Sequence, residues 1–226
     1  MDEPRYVTLM SSLPYHGRLF GARQTPLSRF QLDKRLAWLE PEHAETLTRM
    51  EDVLRWRRIA LGETDAVFLD RAEALVDSLT SPLLAEVVRT RLEARTLIAA
   101  LRKRRAGQPA PGSTERWGYG RWVRVIERHW SDTDFGLLRV VPWIVEADRR
   151  LRENDALGVD RLFMEYAWQE LGRLGAGHYF DFEAVAIYVL RWDLIDRWTH
   201  YNEVDATENI LRLADDGLGD FARMYH

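Results

Sequence analysis

Residues Ser81–Arg105 carry the clearest secondary-structure signal in the chain, and they read SPLLAEVVRTRLEARTLIAALRKRR. Ser81 is a favourable helix N-cap, and Pro82 suits the first helical position because the N–H that it lacks needs no partner there. Apolar residues then fall within a stripe of about 140° when the sequence is wound at about 100° per residue. These residues are Leu83, Leu84, Val87, Ala94, Leu97, Ile98 and Leu101. We therefore predict a long amphipathic helix that ends near Arg105.

Helical patterns also follow one another along the rest of the chain. The other predicted helices cover Leu27–Leu39, Pro41–Gly62, Asp65–Leu79, Tyr119–Trp130, Gly136–Asn154 with a kink at Pro142, Leu157–Leu174, Phe182–Asn202 and Asp205–Asp215. Asp155 and Asp181 are the expected N-caps of two of them. Residues Arg5–Leu13 fit either a short strand or a first helical turn, and we favour extended structure. The predicted fold class is all-α, a multi-helix bundle with a short extended N-terminal segment.

One stretch stands out as a linker, Ala106–Glu115 (AGQPAPGSTE), because it is rich in proline, glycine and small polar residues. It divides the chain into two helical stretches of similar length. We therefore predict a single all-helical domain over residues 1–226, with halves 1–105 and 116–226 joined by a linker at 106–115.

Composition excludes several classes of protein. The 226 residues are 46% hydrophobic and 30% charged, which is ordinary for a globular chain. The absence of cysteine excludes disulfides, thiolate metal sites and thiol nucleophiles. A net charge of −4 argues against a nucleic-acid partner. The longest apolar runs are about a third of the roughly 20 residues that a bilayer requires, so we expect no direct membrane insertion. The sequence opens with Asp2 and Glu3 and not with a basic segment followed by an apolar one, so we expect a cytoplasmic protein.

No phosphate-binding loop, dinucleotide fingerprint, nucleophile elbow or zinc-protease motif occurs. One constellation could carry chemistry, since Asp193, Asp196 and His200 lie within about 60° of one another on the last long helix. They could bind a metal or exchange a proton. The alternative is a solvated face in which Asp193 pairs with Arg197, and Asp196 with His200. We expect the second arrangement, and hence no catalytic residue and no cofactor.

Two further segments have both a structural and a functional interpretation. The basic cluster Arg102, Lys103, Arg104 and Arg105 ends its helix, where cations interact favourably with the macrodipole. We also consider it the candidate surface for an acidic partner. The segment Arg116–Trp130 (RWGYGRWVRVIERHW) interleaves arginine with tryptophan, as a nucleic-acid or membrane surface does. We favour a helix that packs its tryptophans into the core, because acidic residues dilute the patch.

Three stretches resemble an uncharacterised bacterial family that is encoded within V-type ATPase operons. The first signature stretch is Tyr6–Pro14 (YVTLMSSLP), which is similar to that family's N-terminal pattern. The second is Asn154–Leu171 (NDALGVDRLFMEYAWQEL), a helix of acidic residues and aromatics. The third is His178–Trp198 (HYFDFEAVAIYVLRWDLIDRW), with an aromatic–Asp start, an apolar helix and an acidic–Arg–Trp ending.

That family is similar to the C subunit of A/V-type ATPases, which is called subunit d in eukaryotes. The resemblance implies an all-helical socket that receives the central stalk on the cytoplasmic face of the membrane ring. Such a socket transmits torque and catalyses nothing, and its partners are the other subunits of the rotary ATPase. C subunits are longer and contain three similar helical units, whereas this chain has room for about two. The alternatives are a small helical metal protein or enzyme using Asp193, Asp196 and His200, and a helical adaptor or assembly factor.

Overall fold

The structure, a computed structural model, describes residues 6–55, 65–112 and 115–201, and the regular structure within these ranges is entirely helical. The helices are α1 (Val7–Ser12), α2 (Arg29–Leu36), α3 (Pro41–Leu54), α4 (Asp65–Ser78), α5 (Pro82–Arg105), α6 (Val123–Arg128), α7 (Ile144–Arg152), α8 (Ala156–Leu174) and α9 (residues 182–201). A 3-10 turn covers Leu19–Gly21. The predicted all-α fold class is confirmed. In the described part of the chain, no helix combines the length and the apolarity that crossing a bilayer requires.

Side-chain caps fix the starts of the long helices where the sequence predicts them. The hydroxyl of Ser81 accepts from the backbone N–H of Leu84, and α5 begins at Pro82. Asp155 caps α8 by accepting the N–H of Gly158 at 2.7 Å. Asp181 caps α9 in the same way, by accepting a hydrogen bond from the backbone N–H of Ala184 at 2.9 Å. These contacts satisfy N–H groups that have no partner inside a helix.

The N-terminal segment is helical, so the preference for extended structure over Arg5–Leu13 was wrong. Helical spacing places Tyr6, Leu9, Met10 and Leu13 on one face, and that face packs on the core. Tyr6 and Leu9 are buried, whereas the intervening residues Val7 and Thr8 are exposed. A strand would send Leu9 and Met10 to opposite faces, whereas the helix buries Leu9 and packs the partly buried Met10 against the same core.

The predicted helix Gly136–Asn154 is shorter than expected, because its regular part begins only at Ile144. Pro142 has no N–H to donate, and it ends a series of turns instead of kinking a continuous helix. Before it, Phe135 and Gly136 have φ values of 50° and 69°, which no right-handed helix contains. The predicted helix Tyr119–Trp130 is also shorter, since Gly120 has a φ of 93° and α6 begins at Val123.

Three expected segments need separate mention. The predicted helix Leu27–Leu39 is observed as α2, which starts at a capping box between Ser28 and Gln31. The second predicted helix is observed as α3, and its predicted end at 56–62 lies outside the described residues. The predicted helix Asp205–Asp215 lies outside them as well.

The buried apolar side chains form two clusters, and α5 contributes to both. The first cluster combines α1 to α4 and the first half of α5 with the second half of α8 and with α9. The second combines the rest of α5 with α6, α7 and the first half of α8. Along α5 the clusters meet between Leu92 and Ala94, and along α8 between Phe163 and Met164. The division into halves 1–105 and 116–226 stays a prediction about domain organisation.

Candidate functional site

The three side chains considered for catalysis lie on α9, but among the described residues they form no common cluster of metal ligands. Asp193 accepts two hydrogen bonds from Nε of Arg55, at 3.0 Å and 3.1 Å, and a third from Nη2. The carboxylate of Asp196 is 3.6 Å from Nδ1 of His200, and that nitrogen is 2.7 Å from the backbone carbonyl oxygen of Asp196. Each group therefore has a partner within the protein, and the side chains of Asp196 and His200 are partly exposed.

Of the two side-chain pairs expected on α9, one is observed. Asp196 and His200 are neighbours one turn apart, as predicted. The expected pair of Asp193 with Arg197 was wrong, because Arg197 donates from Nε to Asp160 on α8 at 3.0 Å. The partners of Asp193 and Arg197 come from neighbouring elements of the fold. Both pairs are largely buried, and a buried guanidinium is stabilised when a carboxylate accepts hydrogen bonds from two of its N–H groups.

Asp193 belongs to a buried ionic network that joins α2, α3 and α9. Its members are Arg29, Glu51, Arg55 and Asp193. Nη1 and Nη2 of Arg29 contact the two oxygens of Glu51 at 2.5 Å and 3.1 Å, and Nη2 of Arg55 contacts Glu51 at 2.8 Å. The Glu51 side chain is only 4% exposed. Burial raises the pKa of Asp193 to about 6, against the opposing effect of the Arg55 hydrogen bonds.

A cavity of about 80 Å³ adjoins this network. It lies between the end of α3, the middle of α5 and the second half of α9. Its charged lining consists of Arg55, Arg91, Arg197, Asp193 and Asp196, and its apolar lining of three leucines. The cavity therefore brings five charged side chains together beside the helical core, an arrangement that local sequence patterns did not predict.

The basic cluster at the end of α5 is divided between the interior and the surface. Arg104 donates to Asp148 on α7 at 2.8 Å, and its guanidinium lies 4.3 Å from the ring centroid of Phe135. Lys103 is 3.5 Å from Asp65. Arg102 and Arg105 are exposed, and Arg105 donates a hydrogen bond to the side-chain oxygen of Asn154. Arg104 therefore has a structural role. Contact of the cluster with an acidic partner stays a prediction, which Arg102 and Arg105 are best placed to fulfil.

A polar pocket of about 430 Å³ lies where the first turns of α3, α5 and α9 meet. Within it, Nδ1 of His43 is 2.6 Å from the hydroxyl of Tyr6. The ring of His43 stacks on Phe182, with centroids 4.1 Å apart and planes within 4°. His43 is thus held by packing between the N-terminal helix and α9.

One group of side chains in the described part of the chain has the spacing of metal ligands, with ligand atoms within 4.8 Å of one another: His178, Asp181 and Glu183. Oδ2 of Asp181 is 2.6 Å from Nδ1 of His178, and Oδ1 is engaged in the helix cap. The sequence contains its His-x-x-Asp-x-Glu spacing, but none of the three residues was predicted to be a metal ligand. The cap and the His178 contact account for its geometry without an ion.

The first and third signature stretches are in direct contact. The backbone N–H of Tyr6 donates to the carbonyl oxygen of Phe180 at 2.9 Å. The hydroxyl of Tyr188 donates to the carbonyl oxygen of Pro14, also at 2.9 Å. The first stretch is thereby tied at both ends to the segment that contains α9.

The second and third signature stretches are joined by charge and by aromatic packing. Asp160 pairs with Arg197 at one end of the contact. At the other end, the Arg191 guanidinium lies 4.7 Å from the ring centroid of Trp168. All three stretches contribute to the first apolar cluster, so the segments that carry the resemblance form one packed unit.

Comparison of the chain with models of known protein families, with curated proteins and with solved structures finds no match.

Proposed function

We propose that this chain is a non-catalytic subunit of a bacterial V/A-type rotary ATPase and couples the central stalk to the membrane ring, as a C or d subunit does. The observation that supports this proposal is the packing of the three signature stretches into one unit. The proposal rests on the resemblance of these stretches to the ATPase-operon family, and their mutual packing is compatible with it.

The packing of α9 also suits a part that transmits torque. The buried ionic network holds α9 against α2 and α3, and the Asp160–Arg197 pair holds it against α8. Removing one partner of a buried pair costs about 3–5 kcal/mol, whereas apolar contacts alone tolerate small shifts. Helices joined in this way resist sliding past one another.

The state of the candidate catalytic groups fits a structural role. Asp193 is bonded to Arg55, and the three groups lie in no common ligand cluster among the described residues. We therefore propose a protein that needs no cofactor and binds other ATPase subunits. It would be held at the cytoplasmic side of the membrane through the complex, without nucleic acid and without inserting into the bilayer.

A tagged pull-down from the native membrane fraction, with partners identified by mass spectrometry, tests this proposal. Recovery of the catalytic, stalk and ring subunits in a stable ratio would support it. Recovery of assembly intermediates without the mature complex would make the chain an assembly factor instead. If the folded protein recovers no ATPase subunit, the proposal is wrong.

A further inference from the structure

The cavity between α3, α5 and α9 is lined by three arginines, Arg55, Arg91 and Arg197. Two of them have carboxylate partners, since Arg55 bonds to Asp193 and Arg197 to Asp160. The third is different. Nη1 of Arg91 is buried, and it has no hydrogen-bond partner among the described residues.

A buried N–H group without a hydrogen-bond partner is unfavourable, because burial removes its water without replacing the hydrogen bond. The position of Arg91 is held by the ring of Phe163, whose centroid is 5.1 Å from its Cζ. That contact satisfies no N–H group. Burial and the nearby charge of Arg197 lower the pKa of Arg91 to about 10, so the side chain keeps its charge at neutral pH.

The size of the cavity indicates what could complete it. One water needs at least about 10–15 Å³ of such volume, so a cavity of about 80 Å³ has room for several water-sized groups. A tetrahedral oxyanion has five heavy atoms, and its oxygens accept hydrogen bonds from guanidinium groups in bidentate geometry.

We propose that this cavity is a binding site for a tetrahedral oxyanion of the phosphate or sulfate type, with Arg91 as its principal ligand. Arg55 and Arg197 also line the cavity and contribute positive charge, although each is paired with a carboxylate. The proposal is independent of the assignment to a rotary ATPase, since it follows from the cavity and its lining alone.

Two carboxylates also line the cavity, and their negative charge reduces its affinity for an anion. The negative charge of Asp193 is offset by the guanidinium of Arg55, which donates hydrogen bonds to it. Asp196 has a side chain that is 34% exposed and lies 3.6 Å from Nδ1 of His200. Its charge opposes an anion, so Asp196→Asn is expected to strengthen binding several-fold. A purely structural role for Arg91 predicts no such gain.

Isothermal titration of inorganic phosphate into the full chain, at neutral pH and constant ionic strength, tests the site. We expect one phosphate per chain, and an affinity about 10- to 100-fold lower in Arg91→Met. Arg89→Met, an exposed arginine on the same helix, is the matched control and should bind as the wild type does.

Folding of each variant is checked by its thermal transition. Arg91→Met is expected to fold, because it removes a buried N–H group, that of Nη1, which lacks a hydrogen-bond partner. If it does not, Arg91→Gln provides the same test with a neutral polar side chain. Absence of phosphate binding to the folded wild type would overturn the proposal, as would equal affinity in the Arg91 variant and the wild type.

Discussion

Arg197 on α9 is bonded to Asp160 on α8 and not to Asp193, which precedes it by one turn on its own helix. The side chains of the pair are 19% and 11% exposed, so water compensates little for the loss of either. The contact therefore fixes the rotation of α9 relative to α8. Asp193 forms its ion pair with the guanidinium of Arg55 instead.

The Asp160–Arg197 pair is expected to contribute strongly to stability. Asp160→Ala removes the partner of a largely buried cation, and we expect the free energy of unfolding to fall by about 3–5 kcal/mol. Urea denaturation at neutral pH measures the change. Glu165→Ala, at an exposed position on the same helix, should stay within about 0.5 kcal/mol. Similar losses in both variants would contradict the role given to the pair.

Gly120 is expected to tolerate no side chain. Its φ of +93° is unfavourable for other residues, and an added Cβ would lie 2.4 Å from Cγ of Glu93. The left-handed backbone alone costs about 1–2 kcal/mol, so we expect Gly120→Ala to lower the unfolding free energy by at least about 2 kcal/mol. Gly112→Ala is the control, because no atom lies within 4 Å of its added Cβ. Equal stability of the two variants would show that the close approach to Glu93 is wrong.

His16 should make stability depend on pH. Burial, assisted by the charge of Arg191, lowers the pKa of His16 to about 4 from the ordinary 6.5. Between these values the unfolded chain binds the proton and the folded chain does not. The free energy of unfolding therefore decreases as pH falls from about 6.5 to 4, by at most about 1.4 kcal/mol per pH unit.

His16→Phe removes this proton and should flatten the profile. The informative quantity is the wild-type profile minus that of the variant, because the raised pKa of Asp193 acts in the opposite sense over part of the range. Chemical denaturation at a series of pH values provides both profiles. Tyr15→Phe, at an exposed neighbouring ring, is the control. A difference that does not change between pH 4 and 6.5 would rule out a neutral, buried His16.

Arg102 and Arg105 are expected to contact an acidic partner. Reversing both charges in Arg102→Glu and Arg105→Glu should reduce recovery of the ATPase subunits about tenfold or more, because like charges across an interface repel. Arg104 is left unchanged, since it supports the fold through Asp148. The control is the double reversal Arg124→Glu and Arg128→Glu on α6, at two exposed arginines. Undiminished recovery by the first variant, with its fold intact, would refute the contact.

Local signals in the sequence predicted most of the helices and little of the site. Ser81, Asp155 and Asp181 were identified as caps because their chemistry acts within one turn. The partner of Asp193 was missed because Arg55 is 138 residues away in the chain. No local spacing encodes that contact, and the cavity beside Arg91 depends on the same long-range packing. The series of turns before Pro142 was missed because a helical pattern continues across it.

The course of α5 through both apolar clusters has a consequence for how the protein unfolds. Its first half packs in one cluster and its second half in the other, and α8 is shared in the same way. If one cluster unfolded alone, it would expose apolar surface on α5 and α8, which the other cluster needs for its own packing. Partial unfolding would therefore lose many apolar contacts and gain little conformational entropy. We therefore expect one cooperative transition, in which the tryptophan signals of Trp117 and Trp192, one from each cluster, change at the same denaturant concentration.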